Sequence, residues 1–220
     1  MPQLTSISQR RYQYRQSKDS YPEFGQTPPP IAALWADLLV IEQCSQPEIL
    51  INAWQTTPSV QFDFSLGRDK IVVRSSVLED RVHGFTLDVV RPVMRGRVLV
   101  ASTVVRLAEA CAGGLSLKGL YARVLRRVSA ADAQMRLYSR VADTVGGDVG
   151  AFEGVCFDYA AAVDYLEFYD GAEVPAVERG LLPAGVGDVS FTSDLSGLVD
   201  VRRSEKAAEF RKSALFRGLM

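Results

Sequence analysis

Ten basic side chains stand between residues 91 and 140, namely Arg91, Arg95, Arg97, Arg106, Lys118, Arg123, Arg126, Arg127, Arg136 and Arg140, against two acids, Glu109 and Asp132. An arginine excess of this kind is chemistry for polyanions. Each phosphate that is neutralised releases condensed counterions, and a guanidinium forks onto phosphate oxygens and stacks on bases. Residues 141–200 reverse the balance, with twelve acids and Arg179 as the one base, and residues 201–220 turn basic again. The formal net charge of -1 therefore hides a segregated chain. Opposite blocks attract within a Debye length of about 8 Å at physiological salt, so contacts within the chain, between copies, or with a polyanion are favoured.

Enzyme signatures are missing from the sequence. Gly113-Gly114-Leu115-Ser116-Leu117-Lys118-Gly119 contains glycine and lysine, but lacks the spacing and the preceding strand of a phosphate-binding loop and reads as a helix connection. No G-x-S-x-G, HExxH or CxxC pattern occurs. Asp164 and Glu167 share a helical face and read as a solvated acidic surface. His83, the one histidine, reads as a polar loop residue before Gly84, so no histidine-based metal site is available. Cys44, Cys111 and Cys156 are widely spaced in apolar settings and read as buried free thiols. These features predict a protein that is not an enzyme and needs no cofactor or metal. No apolar run reaches the roughly 20 residues a membrane span needs, and the start of the chain is not a signal peptide, so a soluble intracellular protein is expected.

The elements that position the basic block read as mainly α. Residues 1–30 are poor in aliphatics and end in Pro28-Pro29-Pro30, which predicts a flexible N-terminal arm. A helix follows, with Ile31, Leu34, Trp35, Leu38 and Ile41 on one face, and Pro47 opens a second. Period-two alternation of Val60, Phe62 and Phe64, then Ile71 and Val73, around Gly67-Arg68-Asp69 predicts a small β-hairpin near residues 60–73. Residues 85–90 read as extended. Helices are predicted over 97–111, over 117–128, from a Ser129 cap to Gly146-Gly147, over 151–169 and over 203–215, with 180–196 as a loop. The expected architecture is a helical-bundle core over residues 31–183 with one hairpin, flanked by an N-terminal arm and a C-terminal extension over 184–220.

Val163-Asp164-Tyr165-Leu166-Glu167-Phe168-Tyr169-Asp170-Gly171, followed by Val174-Pro175-Ala176-Val177, resembles the core motif of coat proteins of flexible filamentous plant viruses of the potexvirus, potyvirus and closterovirus kind. Leu166-Glu167-Phe168-Tyr169 takes the place of the aromatic-Asp-aromatic-aromatic run, with glutamate for aspartate and leucine for the first aromatic. Upstream, Val124-Leu125-Arg126-Arg127-Val128 is similar to the family's Leu-Arg helix. The resemblance implies a coat protein that polymerises through its N-terminal arm into an open helical filament around single-stranded genomic RNA, located in the virion and, during assembly, the host cytoplasm. It implies RNA contacts from Ser116, Arg123, Arg126, Arg127 and Glu167. The alternative is a non-viral α-helical adaptor that oligomerises through its segregated faces.

Overall fold

Two prolines open α1 (Pro29–Gln43), where a missing N–H costs nothing because first-turn donors have no partner in the helix. Trp35, Ala36, Leu38, Leu39, Val40 and Ile41 are all fully buried, so apolar side chains cover every side of the helix instead of one stripe. That pattern belongs to a helix at the centre of a core. The computed structural model, which describes residues 29–55, 61–92, 96–108 and 111–220, sets this helix against one face of a mixed sheet. The predicted N-terminal arm, apart from its last two prolines, lies outside the described residues.

After α2 (Pro47–Ala53), the chain forms the hairpin of β1 (Phe64–Leu66) and β2 (Asp69–Ser76). Gly67, at φ +59°, fills the first central position of its two-residue turn, which favours glycine because an L side chain there is strained. Next come β3 (Val82–Thr86), α3 (Leu87–Val90) and β4 (Val98–Val104). β4 pairs in parallel with β2, from Lys70 opposite Val98 to Ser76 opposite Val104. A parallel pair needs a crossover, and residues 77–97 supply it.

The chain continues through β5 (Leu115–Ser116), α4 (Leu117–Leu125), α5 (Ala131–Val145), α6 (Val149–Glu153), β6 (Cys156–Phe157) and α7 (Tyr159–Asp164) to β7 (Glu167–Asp170). β7 pairs antiparallel with β4 and completes a four-stranded sheet ordered β1-β2-β4-β7. Ile71, Val73, Leu99, Ala101 and Phe168 face α1, whereas Val72, Val100 and Tyr169 face a second layer made by β3 and β8 (Ser190–Asp194). The short helices α8 (Ala207–Phe210) and α9 (Ala214–Arg217) close the chain, and Leu215, Phe216 and Leu219 are buried in the α1 core. No helix among the described residues is long and apolar enough to cross a membrane.

The mainly α expectation is therefore corrected: the fold is α/β, with a mixed sheet between helices and a β-layer. The largest departure is at residues 98–104, predicted helical. All seven residues of β4 are buried, because the strand is covered on both faces, and a strand in that position shows no alternation to read. The helix expected over 151–169 is broken at Gly154, restarts where Asp158 accepts from Ala161 N at 3.0 Å, and ends before β7. Residues 87–90 are helical rather than extended, and residues 190–194 of the predicted loop pair with β3. The helix over 203–215 is two single turns, the second capped by Ser213.

Cys111 and Cys156 form a disulfide with Cα atoms 5.3 Å apart, and Cys44 is the one free thiol. This corrects the reading of three free thiols. The bond ties the turn before α4 to β6 across a sequence separation of 45 residues. Closing a loop of that length in the unfolded chain stabilises the native state by about 2–4 kcal/mol. Reduction, or Cys156→Ser, is accordingly expected to lower the melting temperature by roughly 4–16 °C in calorimetry, at about 2–4 °C per kcal/mol for a chain of this size. An unchanged melting temperature on reduction would show that the crosslink does not stabilise the fold.

Candidate functional site

Where α1, α2 and the hairpin meet, the buried carboxylate of Asp37 stands near the half-buried one of Asp63. Asp37, 5% exposed, is the one acid inside the apolar run of α1, and its Oδ2 accepts from Trp54 Nε1 at 3.0 Å. Trp54 follows α2 directly and stacks on Phe64 of β1, with ring centroids 5.9 Å apart. Asp63 immediately precedes β1. Its backbone bonds Gln55 on one side and Ile71 on the other, and its Oδ2 accepts from Val73 N at 2.6 Å. The β2 edge extends past the end of β1, so the Asp63 side chain takes a ladder donor that no strand reaches.

Two guanidiniums balance the acids. Arg74 on β2 has Nη1 3.9 Å from Asp63 Oδ2, while its Nε donates to Gly84 O at 3.1 Å. Arg140 of α5 lies over the Trp54 ring at 5.5 Å, and its Nε is buried without a hydrogen-bond partner. α5 is held in place by Glu48 of α2, whose Oε1 accepts from Ser129 N, Ser129 Oγ and Ala130 N. Those bonds hold the Glu48 carboxyl below its ordinary range and do the capping work that the sequence assigns to Ser129.

Burial pushes the Asp37 carboxyl well above the usual carboxylate range, and the charge of Asp63 pushes it further, against the Trp54 hydrogen bond and the charges of Arg140 and Arg74. Burial also raises Asp63, opposed first by Arg74. Desolvation disfavours the charged form of each acid, and two acids side by side disfavour it again. The site is thus a coupled acid pair, its inner member neutral more readily than an ordinary carboxylate, flanked by two arginines. Asp63 and Arg74 form its rim, with side chains 31% and 27% exposed.

A second polar group lies on the β3 side of the sheet. Arg74, Ser102 and Glu167 are neighbours across β2, β4 and β7. His83 Nε2 is 2.8 Å from Ser102 Oγ, but the two residues are 4% and 1% exposed. Burial holds His83 neutral by lowering its pKa to about 4. A serine and an imidazole at this distance have the form of a nucleophile and its base, yet no substrate reaches them, and the pair serves to satisfy buried polar atoms. His83 is therefore a buried strand residue, which corrects its reading as a loop residue.

The residues singled out in the sequence are not brought together. Ser116 caps α4, accepting from Gly119 N at 3.1 Å. Arg123 lies over the Tyr159 ring at 4.4 Å, and Arg127 donates to the carbonyls of Glu42 and Cys44. Arg126 is exposed at the end of α4. Glu167 pairs with Arg81 at 3.0 Å and Arg203 at 3.5 Å, and accepts from Tyr169 OH at 2.6 Å, so its partners are not the arginines of α4. Much of the basic block is engaged internally: Arg91 with backbone carbonyls, Arg97 with Asp69, Arg106 with Asp158 and Glu79, and Lys118 with Glu153. Asp37, Asp63 and Arg74 were passed over. The signal for Asp37 is a single acid deep in an apolar helix, a position where an unpaired charge is seldom found.

Residues 32–196 match the model of a family described as "putative PD-(D/E)XK family member (DUF4420)". The match spans three quarters of the 220 residues. The chain belongs to this family. No curated protein and no solved structure matches it. The family is nuclease-like, which overturns the resemblance to viral coat proteins, the adaptor alternative and the expectation that the chain is no enzyme. The stretch that carried the coat resemblance, Leu166-Glu167-Phe168-Tyr169, is largely the strand β7, with Phe168 and Tyr169 packed on opposite faces of the sheet.

The motif in the DUF4420 description is an aspartate followed by an acid two residues before a lysine. No proline in this sequence precedes an aspartate, and none of Lys18, Lys70, Lys118, Lys206 and Lys212 has an acid two residues before it. On the hairpin Asp63 meets Arg74, and two residues before Arg74 stands Val72, fully buried.

A divalent cation, which nucleases commonly hold between carboxylates, needs hard oxygen ligands. Val72 offers none, and Asp37 is already bonded to Trp54. Among the described residues no group of three His, Cys, Asp or Glu side chains can hold a metal ion. The residues present do not fit one.

The buried acid makes a checkable prediction. The folded-state pKa of Asp37 is raised, so the native state binds its proton more tightly than the unfolded chain does, and this contribution to stability is lost as pH rises through the native value. Asp37→Asn keeps an acceptor for Trp54 and removes the loss. Its melting temperature is expected to match that of the wild type below about pH 4, the ordinary carboxylate range, and to exceed it increasingly at higher pH. A variant less stable than the wild type at every pH would contradict the buried-acid assignment.

Proposed function

We propose that this DUF4420 chain acts on the phosphodiester backbone of nucleic acid, in the nuclease-like way its family suggests, through the rim formed by Asp63 and Arg74. The observation that carries this reading is the meeting of Asp63 with Arg74 across the hairpin, at 3.9 Å, in a chain whose family is described by the PD-(D/E)XK motif. Arg74 contributes a fork for phosphate oxygens. Asp63, in its ionised form, is the group placed to take a proton from an attacking water. Nucleic acid is recognised by charge and not by sequence. Arg126 and Arg136 support this, being exposed, with side chains that make no hydrogen bond or ion pair with the described residues.

A labelled oligonucleotide, offered as single and double strands of both DNA and RNA, tests the reading. The protein is expected to retain it at low salt and to cleave it slowly with chelator present. Arg74→Ala should weaken binding and lower the slope of log affinity against log salt by about one. Asp63→Asn should bind normally and cleave roughly 10²–10⁴-fold more slowly, the usual contribution of a positioned general base. No retention of any oligonucleotide at low salt, or equal cleavage by wild type and Asp63→Asn, would overturn the proposal.

A further inference from the structure

A cleft of about 310 Å³ opens between α4, α5 and α6. Leu117, Leu120 and Val124 turn α4 into the α1 core, which leaves Tyr121 at the edge of that core, against α6. There its ring meets Phe152 edge to face, with centroids 6.2 Å apart and planes at 62°. Tyr138, Ala142 and Val145 line the cleft from α5, and Val149 from α6. α5 ends in Gly146, at φ +61°, a left-handed conformation that favours glycine. A Cβ at Gly146 or Gly147 would meet no atom within 4 Å, so the turn keeps that end of the cleft clear. The walls are set without a ligand. Glu153 of α6 pairs with Lys118 of α4 at 2.9 Å, Asp148 Oδ1 caps α6 by accepting from Ala151 N at 2.9 Å, and the Cys111–Cys156 disulfide holds the chain just beyond α6.

The lining selects its occupant by size, charge and polarity. An apolar cavity of about 150 Å³ holds one benzene ring, so a space of about twice that volume suits two fused rings. Every lining side chain is uncharged, and an ionised ligand would lose its hydration there without a counter-charge. The polar side-chain atoms of the lining are the hydroxyls of Tyr121 and Tyr138, and neither makes a hydrogen bond with the described residues. A plain hydrocarbon would cover both hydroxyls unpaired, whereas a ring nitrogen or ring N–H gives them a partner. Tyr138 and Val149 are 60% and 64% exposed, so apolar surface on both helices is left for an occupant to cover.

We infer that this cleft binds a neutral two-ring aromatic heterocycle, its rings packed among Tyr121, Tyr138 and Phe152 and its nitrogens hydrogen-bonded to the two phenol hydroxyls. The class includes indoles and purine bases, so the ligand arrives either free or as a base of a nucleic-acid strand. None of Asp37, Asp63 and Arg74 lines the cleft, and the inference does not rest on the nuclease-like reading.

The experiment titrates the full chain with indole and with adenine, using calorimetry for affinity and amide chemical shifts for location. For ligands of about ten non-hydrogen atoms a dissociation constant between about 10 µM and 1 mM is expected, with shift changes confined to α4, α5 and α6. Ala142→Phe puts a ring inside the cleft and should abolish binding. Tyr121→Phe combined with Tyr138→Phe keeps the rings and removes both hydroxyls, and is expected to weaken binding about 2–12-fold for each hydrogen bond lost. This double variant removes two oxygens and no packing, so it decides the matter if Ala142→Phe does not fold. A single-stranded oligonucleotide of deoxyadenosine that competes with adenine would show that the base arrives on a strand, and one that does not compete would assign the cleft to a free heterocycle. No saturable binding of indole or adenine up to about 3 mM would overturn the inference, as would shift changes lying elsewhere in the fold or affinities that the double tyrosine variant leaves unchanged.

Discussion

The hydrogen bond from Trp54 to Asp37 is the interaction on which the arrangement of this chain depends. Asp37 sits in the most deeply buried helix of the fold, where a carboxylate without partners costs several kcal/mol even after relaxation. The indole N–H satisfies it, and in doing so fixes the end of α2 against α1. The same ring then stacks on Phe64, which places β1, and lies under Arg140, which places α5. One buried polar group thereby sets the relative positions of two helices, a hairpin and a cation. It also holds Asp37 where the charge of Asp63 pushes its carboxyl further up.

Different parts of this fold were legible to different degrees, for identifiable reasons. The hairpin could be read from period-two alternation around a glycine, because β1 and β2 end in a turn whose backbone favours that residue. α1, α4 and α5 could be read from helical spacing and helix formers. β4 could not, since Val98, Leu99, Val100 and Ala101 are apolar in succession and a strand covered on both faces has the same signature as a buried helix. β7 was absorbed into a predicted helix because its aromatic residues suited either state until β4 offered them a pairing edge. The disulfide was illegible because Cys111 and Cys156 are 45 residues apart and only the tertiary fold brings them together.

The candidate site was less legible than the fold. Charge counting drew attention to residues 91–140, yet the structure engages most of those cations in bonds to carboxylates, carbonyls and aromatic rings. The acids that matter are isolated in sequence: Asp37 in a helix, and Asp63 just before a strand of three residues. The family motif could not reveal them either, because no proline here precedes an aspartate and no lysine has an acid two residues before it. The chain belongs to DUF4420, and its sequence lacks the motif that names the family. A site with the Arg74 guanidinium at its rim is suited to holding an anion by fixed charge.

The most direct test of this account is the protonation of the two acids themselves. Carboxyl carbon chemical shifts of Asp37 and Asp63, followed by nuclear magnetic resonance against pH in wild type and in Arg140→Gln, report each group separately. The account predicts that both titrate above the ordinary carboxylate range in wild type, Asp37 the higher, and that both midpoints move further up when Arg140 loses its charge. Ordinary midpoints near 4 for both acids, or midpoints that do not respond to Arg140→Gln, would show that the acids are neither desolvated nor influenced by that arginine's charge, and would contradict the account.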